Sequence, residues 1–216
     1  MNMPDFNALF DQWASSYDDT VYGKNHEYAE VFENYTKILD KISTQVEDKK
    51  SGTVIEIGVG TGNLSELLTK KGFHVIGIEP SSEMRKAAKV KIPSLEILDG
   101  HFLSLPLKQK VDAFVASYAF HHLTYAEKIE SVKLMDGLLK PDGKIVIADT
   151  MFESKEYKLK LIEKVKADRA FNLLKDLYTE YYELIEDLIQ IFRAQGYTYE
   201  IEKMNSYVWI LTAQKN

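Results

Sequence analysis

An α/β protein built on a doubly wound, mostly parallel sheet is the fold this sequence predicts, and three observations carry that reading. Between about Gly52 and Asp149, short β-rich runs alternate with helical patterns. Those runs are nearly continuous in apolar residues, the mark of strands covered on both faces. The helical stretches between them are long enough for right-handed crossovers, which place ligands at the carboxyl ends of the strands.

Taken in order, the first strand is Thr53-Val54-Ile55-Glu56-Ile57, ending at a glycine cluster. Asn63 to Lys71 follows as a helix, with Leu64, Leu67 and Leu68 on one face and Gly72 at its C-terminal cap. Phe73 to Glu79 forms a second strand, closed by Pro80, and Ser81 or Ser82 caps a helix running through Met84, Ala87 and Ala88. Leu95 to Leu98, Val111 to Ala116 and Lys144 to Ala148 are further strands. A helix around Ala126 to Leu139 precedes the last of these and stops at Lys140-Pro141-Asp142-Gly143. The flanks differ. In residues 1–50, Phe6, Phe10, Trp13 and Tyr17 recur at helical spacing, and a long helix runs from about Glu27 to Val46. Residues 154–195 are also helical in pattern; Gly196-Tyr197 ends them, and Thr198 to Ala213 reads as two strands around Asn205-Ser206. No repeat or linker divides the chain, so the flanks are additions to one domain spanning 1–216.

Composition narrows the class. At 216 residues with 12% aromatics, the chain is long and apolar enough for a packed core, which excludes disorder of the whole. It has no cysteine, hence no disulfide, thiolate metal site or cysteine nucleophile. A net charge of -6 argues against electrostatic nucleic-acid binding. No apolar run reaches membrane-spanning length, and MNMPDFNALFDQW carries acids where a signal peptide carries lysines. A soluble, cytoplasmic protein with no membrane partner is expected. The lysines at 155, 158, 160, 164 and 166, interleaved with Glu153, Glu156 and Glu163, read as a solvated face.

Glu56-Ile57-Gly58-Val59-Gly60-Thr61-Gly62 lies between the first strand and its helix. Glycines there allow positive φ and close approach of a ligand to the backbone. Glu79 ends the neighbouring strand, where a carboxylate can accept bonds from two vicinal ribose hydroxyls. The phosphate-loop motif fails, because no Lys-Ser/Thr follows the last glycine, and the dinucleotide fingerprint is disfavoured by spacing, G-x-G-x-G against G-x-G-x-x-G. E-x-G-x-G-x-G is the spacing seen in S-adenosylmethionine sites. The competing reading is a tight turn without ligand.

The ordered segments V-I-E-I-G-V-G-T-G-N-L, V-I-G-I-E-P-S, L-D-G-H-F-L-S-L-P, V-D-A-F-V-A-S-Y-A-F-H-H-L and L-K-P-D-G-K-I-V-I-A-D resemble the motifs of class I S-adenosylmethionine-dependent methyltransferases. The resemblance covers roughly residues 52–150. F-R-A-Q-G-Y with the two strands after it is similar to the family's final helix and antiparallel hairpin. F-D-Q-W-A-S-S-Y-D is similar to the W-A-x-x-Y-D segment of its small-molecule members. Within the class, the chain looks closest to a group of bacterial small-molecule methyltransferases. The resemblance implies a Rossmann-like sheet of seven mostly parallel strands with a C-terminal antiparallel hairpin. It divides the domain into a helical N-terminal lid (1–50), a cofactor-binding core (52–150), a helical insertion after the fifth strand (151–195) and the hairpin (196–216).

Carried over residue by residue, the resemblance implies that S-adenosyl-L-methionine binds along Glu56, Gly58, Gly60 and Gly62. Gly58 and Gly60 would face its methionine part, Glu79 its ribose, and Pro80 and Met84 its adenine. Met84 reads equally as a core residue of its helix. The family's usual Gly-Asp is replaced here by Asp99-Gly100-His101, so either a His101 ring nitrogen accepts the adenine amine or only the backbone near Phe102 reads the base. Ser117 and Tyr118 would line the methyl-transfer site; an Asn/Asp-Pro-Pro-Tyr motif is absent there, which argues against a base-flipping enzyme. Trp13, Tyr17 and Asp18 would fold over the cofactor, with Tyr22, His26 and Tyr28 near the acceptor. Tyr157, Tyr178, Tyr181 and Tyr182 read as core more readily than as pocket.

His121 and His122, with Tyr17, are the candidate catalytic residues. The histidines read as structural, bonding backbone groups at a helix start, or as a general base for the acceptor's proton. A metal site with His26 or His101 is disfavoured, since adjacent histidines turn with difficulty toward one ion. The implied activity is methyl transfer to an O, N or S atom of a small metabolite. Two other functions compete: a non-catalytic binder of S-adenosylmethionine or S-adenosylhomocysteine, and an NAD-dependent oxidoreductase.

Overall fold

The computed structural model describes residues 17–216. Strands β1 (Thr53–Ile57), β2 (His74–Ile78), β3 (Glu96–Leu98), β4 (Val111–Ser117) and β5 (Leu139–Thr150) pair in parallel. β6 (Thr198–Lys203) and β7 (Val208–Gln214) close the sheet, β7 running antiparallel to both β5 and β6. The order is β3-β2-β1-β4-β5-β7-β6. The expected seven-stranded, mostly parallel sheet with its antiparallel pair is therefore what forms. The winding reverses between β1 and β4, and at such a switch point the strand ends diverge into a crevice.

Helices α1 (Tyr35–Gln45), α2 (Asn63–Lys70), α3 (Ser82–Lys91), α4 (Tyr125–Leu138), α5 (Lys155–Ala167), α6 (Phe171–Thr179) and α7 (Ile185–Arg193) cover the sheet. Alternation along β1 divides the core: Val54 packs in one layer with Ile38, Ile42, Val146 and Leu173, and Ile55 and Ile57 in the other with Phe114, Val132, Met135 and Phe192. Two caps form, the one at Ser81 as expected and a second that the sequence reading did not single out. Ser81 Oγ accepts from the Met84 N–H at 3.1 Å, and Thr124 and Glu127 make a reciprocal capping box.

The long helix expected from Glu27 to Val46 is not formed. His26–Tyr28 is a single 3-10 turn, Asn34 takes a left-handed conformation (φ 64°), and α1 begins only at Tyr35. The cause is distant in sequence: the Asn205 side-chain amide donates to the carbonyls of Val31 (3.1 Å) and Glu33 (2.8 Å), and the chain turns there to deliver them. The C-terminal helical stretch is likewise three helices. Arg169 (φ 56°) breaks it once, and Leu184 breaks it again by pairing with Phe152. The fifth strand runs longer than Lys144–Ala148 at both ends. Lys158 departs from the solvated face expected for its run, donating to the Tyr182 carbonyl at 3.1 Å.

Candidate active site

The carboxyl ends of β1, β2 and β4 and the loops after them enclose a cavity of about 430 Å³. Gly58 turns the chain away from β1 at φ 78°, and a Cβ on it would stand 2.6 Å from that of Ala119, so a side chain there would close the space between β1 and β4. Gly60 adopts φ 55° with open space where its Cβ would point. Glu79, 5% exposed, accepts the Gly60 N–H at 3.0 Å and the Ser81 N–H at 2.9 Å, one on each carboxylate oxygen. One buried acid thereby ties the glycine loop to the start of α3, and it lines the cavity wall.

Most sequence-predicted residues meet at this cavity. Gly58, Gly60, Glu79, Pro80 and Met84 form one wall. His101, Phe102, Ser117 and Tyr118 continue it, and Tyr17 and His122 lie at its other side. Five do not line it. Glu56 is buried beside the loop, Gly62 is the left-handed residue before α2, and Gly100 packs its α-carbon against the Ser104 carbonyl. Asp99 points outward and pairs with Arg85, and His121 lies behind His122 on Asp149. Trp13 lies outside the described residues. Tyr22, His26 and Tyr28 do not reach the wall: Tyr22 is exposed, and Tyr28 donates to Asp176 at 2.5 Å. Tyr157 and Tyr182 pack on the core as expected and Tyr178 is exposed, whereas Tyr181 lines the cavity.

Sequence reasoning missed a set of groups from one neighbourhood. Thr179 and Glu180 enter the wall from the end of α6, joined by Leu123, Thr124 and Glu127. The Thr124-x-x-Glu127 capping signal was there to read; nothing local marks Glu180. Behind them, Lys128 is buried and donates to the carbonyls of Leu123 (2.5 Å) and Tyr181 (2.7 Å), and it pairs with Glu183 at 3.3 Å. One ammonium thus holds both loops of the wall together.

The imidazoles separate electrically. Asp149, fully buried at the end of β5, accepts from His121 Nδ1 (2.7 Å) and from the backbone N–H groups of His121 (2.9 Å) and Thr150 (2.7 Å). Burial disfavours a charged His121, but the Asp149 carboxylate outweighs it and raises the His121 pKa above its ordinary value. His122 goes the other way: burial, then the neighbouring His121, lower it to about 4 despite the Glu180 carboxylate, so its ring is neutral at pH 7. His122 Nδ1 donates to Glu180 at 3.1 Å, which sets the tautomer of the neutral ring with its proton on Nδ1. His121, His122 and Glu180 bring ligand-type atoms within 4.8 Å of one another. Both Nδ1 atoms are already engaged with carboxylates, and gathering all three groups on one ion would cost the His122–Glu180 bond.

His101 Nδ1 accepts the Leu103 N–H at 3.3 Å, and burial lowers its pKa, so the neutral ring carries its proton on Nε2. It is placed to donate a hydrogen bond rather than to accept one. Tyr17 is half-buried, and desolvation drives its pKa well above the usual phenol value, which keeps it protonated. Next to it, Asp18 fastens the N-terminal segment to α2 and α3 through Thr61 (2.6 Å), Asn63 (3.1 Å) and Lys91 (2.7 Å). Tyr118 holds φ 53° at the end of β4, with its ring against Phe32 and Tyr35, a strained backbone of the kind that gathers at functional sites.

Burial also raises the Glu56 pKa to about 8, with Glu79 adding to the rise and the Ser65 hydroxyl opposing it. A folded value above the unfolded one gives stability that is complete below about pH 4.5 and is lost as pH climbs toward 8. The Glu56→Gln variant, neutral throughout, should therefore gain on the wild type in melting temperature as pH rises across that window. A constant gap between the two cofactor-free proteins would show Glu56 to be ionised in the fold.

A protein-family model described as a methyltransferase domain matches residues 55–147. An "uncharacterized methyltransferase" of Alkaliphilus oremlandii is 56% identical over 99% of both chains, and one of Exiguobacterium sibiricum 46% identical over 97% of both. Among solved structures, the magnesium protoporphyrin IX methyltransferase of Synechocystis PCC 6803 with bound SAH superposes with a TM-score of 0.72. It covers 97% of this chain and 99% of its own at 16% identity, a likeness of fold.

Proposed function

The chain belongs to the methyltransferase family, and we propose that it transfers the methyl group of S-adenosylmethionine to an O, N or S atom of a small metabolite held in the cavity at the strand ends. The observation that carries this reading is the pairing of Glu79 with the glycine loop across one wall of that cavity. The donor set fits the cofactor. Open space at Gly60 leaves backbone exposed to its methionine part, Glu79 offers acceptors to the ribose hydroxyls, and Pro80, Met84 and Phe102 supply apolar surface for adenine. His101 would donate from Nε2 to a base nitrogen, which leaves the adenine amine to the backbone near Phe102. Glu56, Gly62, Asp99 and Gly100 would act on the site through the loops they brace. A cavity of this size suits small molecules, and it agrees with an acceptor that is a metabolite rather than a nucleic acid. Among the described residues, no helix is long and apolar enough to cross a membrane.

When bound, the sulfonium of S-adenosylmethionine supplies an activated methyl group for in-line displacement. The protein's part is to align the acceptor and exclude water. Tyr17, Tyr118 and Tyr181 wall off the acceptor end, and Tyr17 stays a hydrogen-bond donor. Neutral His122 can take the acceptor's proton on Nε2, positioned by Glu180, while Asp149 holds His121 beside it. With a pKa of about 4, His122 is a weak base. That suits a thiol, or an amine whose lone pair attacks before its proton leaves, better than an alcohol.

The test is calorimetry of the purified protein with S-adenosylmethionine, S-adenosylhomocysteine and NAD. Binding of the two sulfur nucleosides and not NAD is expected; NAD alone would overturn the reading, and binding without turnover on any metabolite mixture would leave a sensor. His122→Ala should slow turnover about tenfold, short of the roughly 10²–10⁴-fold of a well-matched base, with cofactor affinity unchanged. A variant that only melts earlier would make the imidazole structural.

A further inference from the structure

Charge on the cavity wall is one-sided. Three carboxylates, those of Glu79, Glu127 and Glu180, lie on the cavity wall, and no Lys or Arg does among the residues whose side chains are described. Residues 1–16 contain no Lys or Arg either. Among the described cations nearby, Lys128 is matched by Glu183, His121 by Asp149 and Arg85 by Asp99. Asp176, the next acid along α6, is engaged by the Tyr28 hydroxyl. Glu79 is committed to the glycine loop, and Glu127 to the capping box of α4. Glu180 is left facing the cavity with a neutral imidazole as its partner, between Thr179 and Tyr181.

On this basis, and resting on the methyltransferase reading, we propose that the acceptor site recognises a cationic metabolite: Glu180 holds an ammonium group of the acceptor, apart from the atom that is methylated. The opposite sign suits the described wall poorly. A carboxylate or phosphate on the acceptor would stand beside Glu180 with no Lys or Arg to receive it, and burying an unpaired anion near another is costly. An ammonium there gains a charge-assisted bond in a partly desolvated site, while Leu123, Tyr118 and Tyr181 offer apolar contact to the rest of the molecule. The acceptor would thus be an amine-bearing small molecule.

Full-length protein saturated with S-adenosylhomocysteine is titrated with benzylamine, benzyl alcohol and benzoate, three probes matched in shape. Benzylammonium should bind at least about tenfold more tightly than the alcohol, as one charged hydrogen bond implies, with benzoate weakest. Glu180→Gln keeps an acceptor for His122 and removes the charge; it should erase the preference while leaving affinity for S-adenosylhomocysteine unchanged. Equal binding of the three probes, or of none, overturns the proposal. So does a loss of S-adenosylhomocysteine affinity in Glu180→Gln, which would give the carboxylate to the cofactor's own amino group. So does a preference abolished by EDTA, which would place a metal ion there. Failure of S-adenosylhomocysteine itself to bind the wild type is a separate result, and counts against the methyltransferase reading.

Discussion

Replacing Glu79 with alanine should weaken S-adenosylmethionine binding about 10–100-fold, roughly the 1.5–3 kcal/mol of hydrogen bonding to a charged group. Two losses combine. The ribose hydroxyls lose a charged acceptor, and the N–H groups of Gly60 and Ser81 lose the oxygens that tie the glycine loop to α3. Glu79→Gln should recover only part of the affinity, because its amide has one oxygen where two N–H donors wait. Calorimetry on the folded variants decides the matter: unchanged affinity in Glu79→Ala would remove this residue from the site.

Asp149→Ala is expected to cost about 3–5 kcal/mol of stability, the range for breaking a buried ion pair from one side. For a chain of this length that is a fall in melting temperature of about 6–20 °C. Three donors lose their acceptor at once: the His121 ring and the N–H groups of His121 and Thr150. The pH dependence follows from the two shifts. Burial opposes ionisation of Asp149, yet His121 and the backbone donors hold its pKa below the usual 3.8, so its contribution is present above about pH 4 and fades in acid. His121 is raised, so its contribution is present below about pH 6.5 and fades as pH climbs through the folded value. The gap between wild type and variant should be widest between those limits. A gap that stays flat from pH 4 to 9 would mean that the imidazole is uncharged in the fold.

The strands, the capping serine and threonine and the glycine loop were legible in the chain because each depends on residues within one turn or strand. Val54 to Ile57 alternates between two apolar layers, Ser81 reaches the Met84 N–H three residues on, and Gly58 stands where a Cβ would collide. Glu79 was legible too, since a strand ending beside that loop leaves its last side chain at the same edge. The helix over Glu27–Val46 failed for the opposite reason. Its pattern is locally helical, but Asn205, 174 residues from Val31, takes the carbonyls the helix would have used.

Local periodicity and backbone sterics, then, are enough to specify the sheet and the loop that turns at its edge, while the family is read from the resemblance of the ordered motifs. The electrical character of the site is not encoded that way. His121 and His122 are adjacent and chemically identical in the chain, yet one is raised by Asp149, 28 residues on, and the other lowered by burial beside Glu180, 58 residues on. Ionisation depends on desolvation and on the distance to other charges, and neither quantity exists until the chain has folded.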